Sequence, residues 1–71
     1  MDLNNYNEAI ILYDESLKID PNDTFVLINN GIALSYLKKY EEAIVCYDNA
    51  LRIDPNDTVV LRNKGITLND L

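Results

Sequence analysis

Histidine is missing from this chain, and cysteine occurs once, as Cys46. A lone cysteine makes no internal disulfide, which suits a reducing compartment. Without histidine, a second cysteine or a glycine-rich phosphate loop, the usual residue sets for nucleophilic, metal or nucleotide chemistry are lacking. The expectation is a protein without enzymatic activity, cofactor or metal. Basic residues are also few: six Lys and Arg stand against twelve Asp and Glu, for a net charge of −6. That balance is the opposite of what neutralises phosphates, so nucleic acid and anionic membranes are excluded as expected partners. The longest apolar runs, Ala9 to Tyr13 and Phe25 to Ile28, are too short to span a bilayer, and Met1-Asp2-Leu3-Asn4-Asn5 lacks the basic and apolar regions of a secretion signal. A soluble, cytoplasmic protein is expected.

What the chain does have is a repeat of 34 residues. Tyr6-Asn7-Glu8-Ala9-Ile10 returns as Tyr40-Glu41-Glu42-Ala43-Ile44, and Ile19-Asp20-Pro21-Asn22-Asp23-Thr24 returns unchanged as Ile53 to Thr58. Between Tyr6–Leu37 and Tyr40–Leu71, 20 of 32 positions are identical. A period of this length marks stacked supersecondary units, each of which buries its apolar face only against a neighbour. At 71 residues there is room for one small domain, in which only about 60% of the unfolded surface is buried. The contacts between repeats therefore carry much of the stability, and the architecture points to binding.

Apolar residues at Tyr6, Ala9, Ile10, Tyr13 and Leu17 fall three and four apart, one stripe of an α-helix. The first helix is predicted over about Asn5 to Ile19. Pro21 biases Asp20 away from helical angles and ends it, and Asn22 or Asp23 is placed to accept hydrogen bonds from the first amides of the next helix. The second helix is predicted over Thr24–Leu37, with Lys38 and Lys39 near its negative dipole end. The third runs over Tyr40–Ile53, opening with Glu41 and Glu42 and stopped by Pro55. The fourth runs over Thr58–Asn69. Connections this short force neighbouring helices to be antiparallel, so the fold class is all-α, a single domain of stacked helical hairpins.

Gly31, Ala43, Tyr47, Ala50 and Pro55 carry a resemblance to the tetratricopeptide repeat, whose 34-residue unit pairs two antiparallel helices, A and B, with small residues where they touch. In that pattern Leu27 stands for the usual tryptophan, Asn30 for a leucine and Leu34 for a tyrosine. The resemblance covers nearly the whole chain, in the phase B-A-B-A, as a slice from a longer α-solenoid would have. It implies a protein interaction module whose A helices line a concave face. By resemblance the residues facing it are Phe25, Ile28, Asn29, Ile32, Ser35 and Tyr36 of the second helix, and Val59, Arg62, Asn63, Ile66 and Asn69 of the fourth. Apolar contact is expected from Phe25, Ile28, Ile32, Tyr36 and Ile66, with Asn29, Asn63 and Arg62 fixing the orientation of a protein or peptide segment; basic segments are favoured by the charge. The carboxylate clamp that some family members use on chaperone termini needs three A helices and is not carried over.

The rival reading is a structural unit, a scaffold whose main partner is itself. In the B-A-B-A phase the first helix presents Ala9, Ile10, Tyr13 and Leu17, the fourth presents Leu61, Gly65 and Leu68, and each set is the complement of the other. A homo-oligomer is then expected, by docking or exchange of end helices. Thr67 for Ala33 and Asp70 for Tyr36 are the substitutions that would instead leave the last helix solvated. Two further features have plain readings. Asp20-Pro21-Asn22-Asp23 lacks the glycine and terminal glutamate of a calcium loop and is a helix break with capping side chains. Cys46 replaces Leu12 of the preceding repeat and is a small core hydrophobe. Four tyrosines follow the period, whereas Tyr36 does not and is a candidate contact residue.

Overall fold

A computed structural model describes residues 3–71 of the chain. Met1 and Asp2, part of the opening segment expected to lack a secretion signal, lie outside them. Four helices follow one another: α1 (Leu3–Ile19), α2 (Thr24–Tyr36), α3 (Tyr40–Ile53) and α4 (Thr58–Asp70). The predicted bounds hold to within two residues. α1 starts at Leu3 rather than Asn5, and α2 stops at Tyr36 with Leu37 as its cap.

The two inter-repeat breaks are built alike from the same six residues. Asp20 and Asp54 each accept a bond from the amide two residues on, that of Asn22 (3.2 Å) and Asn56 (3.3 Å). Asp23 then caps α2 by accepting from the Val26 amide at 3.2 Å, and Asp57 caps α4 by accepting from Val59 (3.0 Å) and Val60 (3.2 Å). A carboxylate at this position satisfies helix amides that have no partner within the helix and meets the positive end of the dipole. Of the two candidate caps before α2 it is therefore Asp23 that acts. Between α2 and α3 the turn has a different basis. Lys38 takes a left-handed φ of 63°, while the Lys39 amide bonds Leu34 O and the Lys38 amide bonds Ser35 O, both at 2.9 Å. This is a Schellman closure with lysine where glycine is usual.

α2 and α3 form the central pair, with α1 against α2 and α4 against α3. Leu27, Leu34, Ala43, Cys46, Tyr47, Ala50 and Val60 make the core, flanked by Ile10, Leu17, Ile28, Ile32 and Leu51. Among the described residues α2 also approaches α4. The molecule is a slab 32 × 30 × 17 Å, two helices thick. No helix among the described residues is long and apolar enough to cross a membrane.

Candidate functional site

The surface shared by α2, α4 and one tyrosine of α3 holds a depression of about 350 Å³, lined by Ile32, Ser35, Tyr36, Tyr47, Asn63, Ile66, Thr67 and Asp70. Its floor is a short hydroxyl chain. Ser35 Oγ donates to Gly31 O at 3.0 Å, and a hydroxyl has one proton to give. In the 3.0 Å contact between Ser35 and Thr67 the donor is therefore Thr67. Tyr47 Oη lies 3.5 Å from the same Ser35 oxygen, longer than an ordinary hydroxyl bond. The apolar residues Ile32, Ile66 and Tyr36 line the depression beside these hydroxyls, together with Asn63 and Asp70.

A second depression, about 180 Å³, lies between α1 and α2 and is lined by Tyr6, Ala9, Tyr13, Asn29, Ile32, Ala33 and Tyr36. It is the first one displaced by a period: Tyr13 stands for Tyr47, Asn29 for Asn63, Ile32 for Ile66 and Ala33 for Thr67.

Of the residues read from sequence as groove-facing, Ile32, Ser35, Tyr36, Asn63 and Ile66 come together in the larger depression, and Asn29 lies in the smaller. Phe25 and Arg62 are exposed but line neither, and Ile28 packs against the core. Tyr36, read as a candidate contact residue, stacks on Tyr6 of α1 with ring centroids 5.0 Å apart and planes 12° from parallel. Thr67 is one of the two substitutions that, in the alternative to association, would leave α4 solvated. It is instead 2% exposed and bonded to Ser35, because its hydroxyl finds a partner on α2.

The end helices divide in a similar way. On α4, Leu61 and Leu68 are each 49% exposed and Gly65 is open. On α1, Ala9, Ile10, Tyr13 and Leu17 are all half-buried, and Ile10 and Leu17 pack against the core within the chain. Those two belong to the stripe that meets the core; the large apolar side chains left open before Tyr13 are Ile11, 61% exposed, and Leu12, 69% exposed.

Cys46 sits in the core. Burial pushes its thiol up to about 11, with the charges of Asp14 and Glu42 adding to the effect, so it stays protonated and unreactive at neutral pH. Among the described residues no group of acidic or sulfur side chains is arranged to hold a metal ion.

None of the curated proteins matches the chain. Two family profiles do, both described as Tetratricopeptide repeat, one over residues 25–57 and the other over residues 1–23. The first takes in α2, α3 and the break after them, and the second takes in α1 and the break before α2. With four antiparallel helices, a 34-residue period and small residues at the α2–α3 contact, the chain belongs to the tetratricopeptide repeat family, whose members generally serve as protein interaction modules.

Proposed function

We propose that this domain is a non-enzymatic module that receives an extended segment of another protein in the groove between α2 and α4. The observation that carries the reading is the 350 Å³ depression itself, where apolar walls surround a few convergent polar groups. Ile32, Ile66 and Tyr36 would take an apolar side chain of the segment, and the Asn63 amide can both donate to and accept from its backbone. Asp70 at the edge and the net charge of −6 favour a basic residue beside that side chain and steer basic segments in the encounter.

Peptides selected against the 71-residue chain from a random display library test the groove. Ile66 is 54% exposed, so Ile66→Asp leaves the helical signal in circular dichroism unchanged. Affinity measured by calorimetry should fall roughly tenfold or more, the scale of one lost apolar burial. Equal affinity of the two proteins for the selected peptides would mean that another face is used.

A further inference from the structure

A third depression, about 240 Å³, shares no lining residue with the two already described. Three successive helices border it, with Ile10 and Asp14 from α1, Asn30 from α2, and Glu42, Val45 and Cys46 from α3. Its polar groups are unevenly matched. Asp14 accepts from the Asn30 amide, but the Asn30 oxygen, on a residue only 2% exposed, has no donor among the described residues. Neither Asp14 nor Glu42 is paired with a cation among them. Cys46 registers both carboxylates, since after burial the charges of Asp14 and then Glu42 raise its thiol. The depression thus holds two carboxylates and an unused amide oxygen, without a positive charge to answer them.

The second repeat shows what completes such a set. There Asp48 takes the place of Asp14 and Lys64 that of Asn30, and the lysine ammonium pairs with the aspartate. Asparagine is shorter and uncharged, so the first repeat keeps the carboxylate and lacks its cation. We propose that this depression receives a lysine side chain of another protein, with the ammonium between Asp14 and Glu42 beside the Asn30 oxygen and the aliphatic stem on Ile10 and Val45. An ammonium has three N–H donors and no acceptor, which matches a site of acceptors. The stem of a lysine covers apolar surface while its head stays near water, and Val45 is 59% exposed to receive it. The net charge of −6 adds attraction at longer range.

The probe is Nα-acetyl-lysine methylamide, titrated into the nitrogen-15-labelled chain and followed by NMR. Signals of the Asn30 side-chain amide and the Cys46 backbone should move together and saturate, whereas the same compound acetylated on Nε has lost its charge and should move neither. Asp14 and Glu42 are exposed, so Asp14→Asn and Glu42→Gln keep the fold. Each should weaken binding by about two- to fivefold, the scale of an exposed ion pair. Glu8→Gln removes a charge from α1 outside the depression and should change nothing. Asn30→Lys supplies the ammonium within the chain, as Lys64 does, and should abolish binding. Ile66→Asp should leave the titration unaltered, which separates this site from the groove between α2 and α4. Shifts that do not saturate, equal shifts with the Nε-acetylated compound, or an equal loss in Glu8→Gln overturn the proposal. Tighter binding of putrescine than of the lysine compound overturns it as well, by assigning the depression to a free diamine.

Discussion

Lys64 Nζ lies 2.6 Å from Asp48 Oδ1 across α3 and α4, and one period earlier the same two positions hold Asn30 and Asp14, joined by a 3.0 Å bond from the Asn30 amide. The exchange of lysine for asparagine leaves a different residue of cost in each repeat. Lys64 keeps its head near water, whereas Asn30 is 2% exposed and its Oδ1 has no partner. A buried acceptor without a partner costs about 1–3 kcal/mol. Asn30→Leu removes it while Asp14, which is exposed, regains water. We expect a gain of about 1 kcal/mol, raising Tm by roughly 4–8 °C in a domain of this size. A lower Tm in a thermal melt followed by circular dichroism would mean that the Asp14 bond outweighs the orphaned oxygen.

The two glycines should respond to alanine with opposite signs. Alanine is the better helix former by about 1 kcal/mol. At Gly65 that preference acts alone, so Gly65→Ala stabilises the chain, measured dilute. At Gly31 the new methyl falls 2.5 Å from the ring of Tyr47, which is 1% exposed and must shift to admit it. Overpacking of this kind costs about 1–3 kcal/mol, so Gly31→Ala should lower the denaturant midpoint.

Lys38 holds a left-handed backbone conformation in which a Cβ is unfavourable by about 1–2 kcal/mol. Its amide and that of Lys39 close α2. Lys38→Gly keeps those bonds and removes the strain, offset in part by the greater freedom of glycine when unfolded. The expected result is a rise of about 0.5–1 kcal/mol in unfolding free energy, read from urea titration. A loss would show that the lysine side chain contributes more than its backbone costs.

Folding raises the Cys46 thiol from 9.0 to about 11. Above pH 9 the unfolded chain releases a proton that the folded one keeps, so this contribution to stability is intact below pH 9 and lost as pH rises through about 11. Stability should therefore fall more steeply over that window in the wild type than in Cys46→Ala. At pH 8 a disulfide reagent should react slowly with the native protein and quickly in denaturant.

Asn63 lines the larger groove and Arg62, its neighbour on α4, does not. For a peptide bound there, Asn63→Ala should weaken binding by about 1–3 kcal/mol, the scale of a buried hydrogen bond lost. Arg62→Ala should change chiefly the salt dependence of association. Equal losses from both would move the bound segment out of the depression and onto the exposed edge of α4.

Helix limits and breaks were legible in the chain because each depends on residues close in sequence: Pro21 and Pro55, the aspartates beside them, and the three-and-four spacing between. The site was legible only in part. Thr67 reads as a polar replacement on an end helix, since its partner Ser35 lies 32 residues away and no local pattern reports it. Ile10 and Leu17 share a stripe with Ala9 and Tyr13 in any helical projection, yet α1 has two adjoining faces, and only contacts with α2 tell which one is already covered. Tyr36 departs from the period, which marked it as exceptional, but its stacking on Tyr6 depends on the angle between α1 and α2. Asn30 departs from the family pattern in the same visible way, while its unsatisfied oxygen became evident only from the packing around it.

Asp70 closes α4 and also borders the groove. At the carboxyl end of a helix the aligned peptide dipoles leave a partial negative charge, and a carboxylate there adds to it instead of opposing it. α2 ends otherwise, with Lys38 and Lys39 just beyond it. The mouth of the groove thus concentrates two negative contributions, one from a side chain and one from the backbone itself. A lysine or arginine brought there by a bound segment supplies the counter-charge that the last turn of α4 does not carry, so occupancy of the groove and order in that turn should rise together.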